Sequence, residues 1–211
     1  STDIRLKKET KRQYDFEHNL LHEYLKYVNY LDTTIRAGLG NQPKKLLKWS
    51  SAASLGLSAL RCQCELLRSL PSFNFRGRLL QTVVLRGTQG SPQNRVSDLC
   101  CSSLKKIFAN DSDGEISFET VKYFAKTLDI CKYNVEKSLL ECLMSVKLTT
   151  SSSQAKEVRS QLKKQRRLKR RTDRNDITET ASDGVIAVEK RRMKFEADSL
   201  HEICLIYFRI I

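Results

Sequence analysis

Residues 57–86 read LSALRCQCELLRSLPSFNFRGRLLQTVVLR, and this stretch decides the fold class. Apolar side chains recur at three- and four-residue steps on both sides of Pro71, at Leu57, Leu60, Cys64, Leu67, Leu79, Leu80, Val83 and Val84. This spacing places the apolar side chains on one face of an α-helix, whereas a proline ends one. The stretch therefore predicts two helices joined by a short turn, the first over residues 44–69 and the second over 76–86.

The same spacing continues in both directions along the chain. Upstream, it predicts a first helix over 14–36 with one apolar face formed by Phe16, Leu20, Leu21, Tyr24, Val28, Leu31 and Ile35. Gly38, Gly40 and Pro43 break the chain before the next helix. Downstream, helices are predicted over 96–109, from Ser117 onward, over 134–148 and over 189–211. Strand patterns are weak throughout.

Short connections between helices favour antiparallel neighbours, so the sequence predicts an all-α protein made of antiparallel helical hairpins. The third and fifth predicted helices start about 40 residues apart, within the range of HEAT-like repeats. Such hairpins stack into an α-solenoid because each buries one face on its own partner and another on the next hairpin. A compact helical bundle is the competing fold.

The charge is distributed unevenly, and this sets the predicted domains. The chain carries a formal net charge of +14, and residues 151–174 hold ten Lys or Arg but two Asp or Glu. We predict a HEAT-like domain over 1–148, a flexible linker over 149–188 that is basic and then acidic, and the truncated start of a further helical region over 189–211. A strongly basic balance indicates a polyanionic partner, most often nucleic acid.

Cysteine usage and hydropathy restrict the cellular compartment. The chain has 7 cysteines, which fall within helical patterns, so free thiols in a reducing compartment are expected. No apolar run reaches 18 residues, so no membrane partner is predicted. No secretory signal opens the chain. It begins without Met, and we expect it to be part of a longer protein.

Two patterns resemble metal sites but lack the required ligands. Asp111, Asp113 and Gly114 match the middle of a calcium-binding EF-hand loop. With Gly114 at loop position six, Ala109 and Thr120 occupy the first and twelfth positions, where carboxylates are needed. We interpret the loop as a helix–helix turn with Ser117 as the next N-cap. His18 and His22 lie four residues apart, but Asn19 replaces the glutamate that a zinc protease needs.

The sequence shows no arrangement that indicates catalysis. Cys62 and Cys64 are separated by one residue, Cys100 and Cys101 are adjacent, and no second pair has zinc-finger spacing, so core cysteines are expected. There is no Gly-rich phosphate loop and no nucleophile elbow. We predict no enzyme activity, no metal and no cofactor.

A dense basic block lies in the predicted linker. It consists of Lys163, Lys164, Arg166, Arg167, Lys169, Arg170 and Arg171. Like charges one helical turn apart destabilise a free helix, so a bound polyanion would relieve the repulsion. Nuclear or nucleolar import and direct nucleic-acid contact both use such tracts, and they are not exclusive. A solvated helix face is the third interpretation. The affinity of such contacts to phosphate would fall as the salt concentration rises and would not depend on the nucleotide sequence.

The turn Phe73-Asn74-Phe75-Arg76 has two interpretations. Its aromatic rings could form a platform on which bases stack. Alternatively, the rings fill the seam between the second and third helices, and Asn74 caps the third helix. We favour the second interpretation.

The turn also carries a family resemblance. The segment FNFR over 73–76 resembles the corresponding segment of the nucleolar complex protein 3 family. YDFEHNLLHEYLKYVNYLD is similar to that family's first helix, and CCSSLKKIFANDSDGEISFETVKYFAKTL to a later stretch. IYFRI at 206–210 is similar to the family's sequence near the end of this region. The residues of the two short family motifs are Phe73, Asn74, Phe75, Arg76, Tyr207, Phe208 and Arg209.

The resemblance implies a function that the composition does not give. Proteins of this family are non-catalytic nucleolar assembly factors that pair with the nucleolar complex protein 2 family on precursors of the large (60S) ribosomal subunit. They help these particles mature and leave the nucleolus. Here the basic block would contact pre-rRNA. The alternatives are a chromatin-associated replication initiation factor that assists helicase loading with origin-bound proteins, and a nuclear adaptor whose basic block serves only for import.

Overall fold

The computed structural model describes residues 7–40, 51–88, 95–131, 137–148 and 181–210, with the backbone alone for 181–186. These residues form seven helices and no strand. The helices are α1 (Lys8–Leu39), α2 (Ser51–Ser69), α3 (Arg76–Thr88), α4 (Arg95–Asn110), α5 (Glu115–Ile130), α6 (Lys137–Leu143) and α7 (Ala181–Ile210). The all-α prediction is confirmed, and the helix order is consistent with an α-solenoid-like arrangement.

The chain divides into two compact units, Ser1–Ser103 and Leu104–Ile211. In the first unit, α1 packs along α2, and α2 packs against α3. In the second unit, α5 packs against α7. Helix α4 crosses the boundary, with its apolar face buried along its whole length, from Val96 through Cys100 and Leu104 to Phe108.

The first hairpin is held by small residues at the point where its helices approach most closely. A Cβ added to Gly38 of α1 would lie 2.8 Å from the Cα of Gly56 in α2 and would overlap the carbonyl oxygen of Ala52. Position 38 therefore requires glycine, although glycine costs a helix interior about 0.5–1 kcal/mol relative to alanine. A Cβ added to Gly56 would lie 3.0 Å from the Cα of Gly38, closer than ordinary van der Waals contact. Next to this crossing, Ile35 of α1 and Leu57 of α2 are buried. Burial of such side chains contributes about 1.5–3 kcal/mol each.

A polar contact joins three helices of the first unit. The buried carboxylate of Asp32 in α1 accepts hydrogen bonds from Nε2 of Gln63 in α2, at 2.6 Å, and from Oγ1 of Thr82 in α3, at 3.1 Å. Close by, Nη1 of Arg86 in α3 donates to the carbonyl of Gly40 at 2.5 Å. A buried carboxylate is stable only when its oxygens are satisfied. This contact therefore fixes the register of α1, α2 and α3.

The second unit is organised around the turn between α4 and α5. Gly114 adopts the left-handed conformation with φ of 75°, which glycine reaches without steric cost. A Cβ at this position would lie 3.4 Å from Cβ of Phe195 in α7. The ring of Phe118 packs against the ring of Phe195 with 5.7 Å between centroids. The turn thus docks α7 onto the start of α5.

Three helix boundaries differ from the predictions by five residues or more. Helix α1 begins at Lys8 rather than at 14. Helix α7 begins at Ala181, before the predicted start at 189. An isolated glycine such as Gly184 costs a helix interior only about 1 kcal/mol and does not by itself end the helix. Helix α6 ends at Leu143 rather than at 148, and the chain then turns through a hydrogen bond from Ser145 N to the carbonyl of Cys142. The domain boundaries at 148 and 188 stay a prediction.

The predicted apolar face of α1 is buried along only part of its length. Val28, Leu31 and Ile35 are buried, as the periodicity predicts. Phe16 and Leu20 are 67% and 47% exposed, so the N-terminal part of this face is not buried by the described residues. The reason is that α2 ends at Ser69, and its C-terminal end reaches only as far as the middle of the much longer α1.

Candidate functional site

The aromatic turn between α2 and α3 packs against α1. The ring of Phe73 meets the ring of Tyr24 edge to face, with 4.9 Å between centroids. The ring of Phe75 lies 6.2 Å from the same tyrosine at a tilt of 30°. All three side chains are half-buried, and burial raises the pKa of Tyr24. Edge-to-face pairs contribute about 0.5–1.5 kcal/mol beyond the area they bury.

The conformation of this turn is set by Phe75 rather than by Asn74. Phe75 has a positive φ of 65°, a conformation that costs a non-glycine residue about 1–2 kcal/mol. Its carbonyl accepts hydrogen bonds from the backbone N–H of Arg78 at 3.0 Å and of Leu79 at 3.4 Å. Helix α3 begins at Arg76, so Phe75 occupies the N-cap position. The predicted N-cap role of Asn74, which is exposed and one residue earlier, is wrong.

This geometry favours the structural interpretation of the aromatic turn. A base-stacking platform presents a flat ring face to solvent. Here Phe73 and Phe75 both direct their rings toward Tyr24 and are partly covered. They tie the α2–α3 turn to α1, which differs from the predicted role of joining α2 to α3 alone.

The motif at the end of α7 contacts both neighbouring helices of the second unit. Ile206 is buried, and the hydroxyl of Tyr207 donates to the carbonyl of Leu140 in α6 at 3.3 Å. Nη1 of Arg209 lies 3.5 Å from Oδ1 of Asp129 at the end of α5. This pair is largely exposed and contributes little to stability. Phe208 is 79% exposed.

The loop that resembles an EF-hand uses its first carboxylate to cap α5. Oδ1 of Asp111 accepts from the backbone N–H of Asp113 at 3.2 Å and of Gly114 at 2.9 Å. Oδ2 accepts from the backbone N–H of Ser117 at 2.9 Å and from its hydroxyl at 2.6 Å. Both oxygens are thus engaged by protein donors. Ser117 lies inside α5 rather than at its N-cap, so that assignment is wrong.

The cysteines and histidines belong to no metal cluster within the described part of the chain. Among the residues that the structure describes, no group of three or more His, Cys, Asp or Glu side chains could hold a metal ion. Cys64 and Cys100 are buried and joined by a hydrogen bond, which together with complete burial holds the pKa of the Cys100 thiol well above its ordinary value. That thiol is unreactive at neutral pH. His18 stacks on Tyr14 with centroids 6.1 Å apart.

The basic block lies outside the described residues, and its role stays a prediction. Its members are Lys163, Lys164, Arg166, Arg167, Lys169, Arg170 and Arg171. Within the described part of the chain, no helix is long and apolar enough to cross a membrane.

The apolar periodicity of α1 did not predict the polar contact centred on Asp32. The carboxylate lies between Leu31 and Ile35, on the face of α1 that is otherwise apolar. A charged residue within a buried stripe is a signal that could have been used, because such a group needs a hydrogen-bond partner. The identity of its partners, 31 and 50 residues away, has no local signature.

Comparison with known proteins extends the resemblance beyond the short motifs. No known family model matches the chain. The chain is 26% identical to the nucleolar complex protein 3 homolog of Danio rerio over 223 residues, which cover 98% of the chain. It is 28% identical to the nucleolar complex protein 3 homolog of Mus musculus over 227 residues, which cover 100% of the chain. Nucleolar complex-associated protein 3 of Saccharomyces cerevisiae is 25% identical over 143 residues, 67% of the chain.

The resemblance to the nucleolar complex protein 3 family is confirmed. The chain spans about 28% of the length of the vertebrate nucleolar complex protein 3 relatives that it matches. Similarity to these vertebrate proteins covers nearly the whole chain, so it includes the helical segments, the basic block and α7 alike.

Proposed function

We propose that this chain is part of a non-catalytic nucleolar assembly factor that acts in the maturation and export of the large (60S) ribosomal subunit precursor. The observation that carries the proposal is the similarity along 98% of the chain to a nucleolar complex protein 3 homolog, with further matches in a plant and in two yeasts. The helical hairpins suit a scaffold, because stacked helices present long surfaces to partners.

Two finer roles form part of the proposal. The helical scaffold pairs with a protein of the nucleolar complex protein 2 family, and the basic block from Lys163 to Arg171 contacts pre-rRNA and directs nuclear and nucleolar accumulation. Seven Lys or Arg within nine residues support the second role, because phosphate contacts supply most of the affinity in sequence-independent nucleic-acid binding.

The test uses the full-length protein fused to a fluorescent protein, followed in cells and on sucrose gradients. We expect nucleolar fluorescence and co-sedimentation with 60S precursors. Replacement of all seven basic residues by alanine is expected to disperse the nucleolar signal. The matched control replaces seven Lys or Arg of α1 to α4, namely Lys8, Lys11, Arg12, Arg61, Arg68, Lys105 and Lys106, and leaves the block intact.

The outcome separates the alternatives. Chromatin loading that follows the cell cycle, without 60S precursors in the same fractions, contradicts the proposal and favours the replication factor. Diffuse nuclear fluorescence without particle association favours a nuclear adaptor whose basic block is an import signal. An unchanged nucleolar signal in the seven-residue variant contradicts the targeting role of the block.

A further inference from the structure

Two cysteine thiols meet in the interior of the first unit, one from α2 and one from α4. Cys64 of α2 and Cys100 of α4 are 4% and 0% exposed, and a hydrogen bond joins their sulfur atoms. A buried free cysteine usually behaves as a small apolar residue. Here each thiol faces a second thiol, so the two sulfurs are already in contact across the helix pair. We call Cys64 and Cys100 the α2–α4 thiol pair.

The two sulfurs of the pair lie at different depths. The sulfur of Cys64 is also within hydrogen-bond reach of the side chain of Ser103, which is half-buried, and it lies close to the carboxylate of the exposed Glu65. Cys100 is entirely buried. The pair therefore has an outer sulfur beside a partly exposed serine and an inner sulfur without solvent contact. A small oxidant that enters at Ser103 meets the outer sulfur first.

The hydrogen bond between the two thiols makes them unequal acids. It lowers the pKa of Cys64, although burial acts in the opposite direction. The same hydrogen bond, together with burial, raises the pKa of Cys100 well above its ordinary value. When one thiol of the pair ionises, Cys64 therefore carries the charge and Cys100 donates to it. The thiolate is the nucleophilic form of cysteine, so Cys64 is the sulfur that reacts with an oxidant.

Arg86 of α3 favours ionisation of the inner sulfur once the outer sulfur has reacted. Its buried guanidinium lowers the pKa of Cys100, whereas the negative charge of Cys64 raises it. Conversion of the Cys64 thiolate into a neutral sulfenic acid removes this opposing charge, while the guanidinium stays cationic. The arrangement therefore holds a first nucleophile, a second thiol in contact with it, and a cation that helps the second thiol to ionise.

We propose that the α2–α4 thiol pair is a site of oxidative modification, at which a peroxide joins Cys64 to Cys100 in an intramolecular disulfide. The inference goes beyond the nucleolar function and does not depend on it, because it rests on the contact between the two thiols. Under reducing conditions both cysteines remain free thiols.

The reaction with hydrogen peroxide balances in two steps. The Cys64 thiolate attacks one peroxide oxygen, the O–O bond breaks, and the departing hydroxide takes up the proton that Cys64 released. Cys100 then attacks the sulfur of the resulting sulfenic acid, the S–O bond breaks, and this hydroxide takes the proton of Cys100. The two sulfurs together lose two electrons, which reduce the peroxide to two molecules of water. A dithiol reductant reverses the bond by exchange.

The disulfide would join α2 to α4 within the first unit. It needs a sulfur–sulfur bond of about 2.0 Å, so the two side chains must close the remaining gap. The bond closes a loop that contains all of α3. Such a cross-link stabilises a protein chiefly by restricting its unfolded chain, and more so when the closed loop is long. The oxidised protein should therefore unfold at a higher temperature than the reduced protein.

The test treats the full-length folded protein with hydrogen peroxide, blocks the remaining thiols with N-ethylmaleimide, and digests the protein with trypsin without reduction. We expect mass spectrometry to find the α2 and α4 peptides linked, and dithiothreitol to separate them. Each peptide also contains a neighbouring cysteine, Cys62 or Cys101. Cys64→Ala and Cys100→Ala should each lose the link. The matched control, Cys62→Ala combined with Cys101→Ala, keeps only the pair in these peptides and should retain the link.

Two further measurements test the order of the reaction and the fit of the bond. After peroxide treatment of Cys100→Ala, a dimedone probe should label Cys64 as a sulfenic acid. The same probe should leave Cys100 unlabelled in Cys64→Ala, because that thiol does not ionise at neutral pH. Oxidation should raise the unfolding temperature of the unmodified protein and of the control variant by about 5 °C or more, reversibly on reduction.

Each other result overturns the proposal. An unlinked pair in protein whose exposed Cys62 and Cys204 have been oxidised shows that the pair consists of inert core thiols. A link that is absent from the control variant assigns the bond to a neighbouring cysteine. A link that forms only in urea shows that the native packing keeps the sulfurs apart. An unfolding temperature that stays unchanged or falls on oxidation shows that the bond does not fit the native helices.

Discussion

Nε2 of Gln63 donates a 2.6 Å hydrogen bond to Oδ1 of Asp32 in the interior of the first unit. The two residues are 31 positions apart and belong to different helices. The same carboxylate oxygen also accepts from Thr82 of α3, so one side chain holds three helices in register. The side-chain amide of Gln63 also has an oxygen, Oε1, which is buried and has no hydrogen-bond partner within the described residues.

Replacement of Asp32 by alanine is expected to lower the free energy of unfolding by about 2–4 kcal/mol, because the donors of Gln63 and Thr82 lose their acceptor inside the protein. Asp32→Asn should cost less, since its carbonyl still accepts and its amide can donate to Oε1 of Gln63. Urea unfolding measures both variants. Equal losses for alanine and asparagine would show that the carboxylate charge, not the hydrogen bonds, is what matters.

Gly38→Ala is expected to destabilise the first hairpin by about 2–3 kcal/mol, because the added methyl meets backbone atoms that cannot rotate away. Alanine is otherwise the better helix former. The matched control is Ala37→Ser on the exposed side of the same helix. Thermal unfolding compares the two. A stabilised Gly38→Ala variant would mean that α1 and α2 are further apart than described.

Phe73→Ala is expected to cost about 1.5–3 kcal/mol, less than the 3–5 kcal/mol typical of a fully buried phenylalanine, because the ring is only half-buried. A double-mutant cycle with Tyr24→Ala should give a coupling energy of about 0.5–1.5 kcal/mol. Full stability together with weakened RNA binding would instead assign the ring to base stacking. A coupling energy of zero would contradict the edge-to-face contact.

Calcium is expected to leave the melting temperature unchanged, because both oxygens of Asp111 are engaged by donors of the protein. Asp111→Ala should lower the free energy of unfolding by about 1–2 kcal/mol, as loss of a helix cap does. Asp113→Ala, at an exposed position of the same loop, serves as the control. A rise in melting temperature with added calcium would show that the loop is a metal site.

Binding to unrelated single-stranded RNAs is expected to depend steeply on salt and weakly on sequence. If about four to six cations of the basic block contact phosphates, the log–log slope is roughly −3 to −4. The affinity then falls about a hundredfold between about 50 and 200 mM salt, which fluorescence anisotropy can follow. A flat salt response with strong discrimination among RNAs would point to a shaped site on the helices.

The sequence by itself determined the class of secondary structure and most helix positions. Apolar spacing placed α3 and α4 to within a few residues, because an amphipathic helix must repeat its apolar side chains every three or four positions. The same local information showed that the loop at Asp111 lacks calcium ligands at its first and twelfth positions. The resemblance to a known family was also found from the order of the residues alone.

The tertiary structure decided which apolar residues have a partner. Phe16 and Ile35 share one pattern on α1, yet only Ile35 is buried, because α2 is shorter than α1. Periodicity shows that a face can pack, but not where the neighbouring helix ends. Likewise, Asp32 satisfies its carboxylate on residues 31 and 50 positions away. Such contacts depend on how helices cross, and the chain encodes that only through the packing of the whole unit.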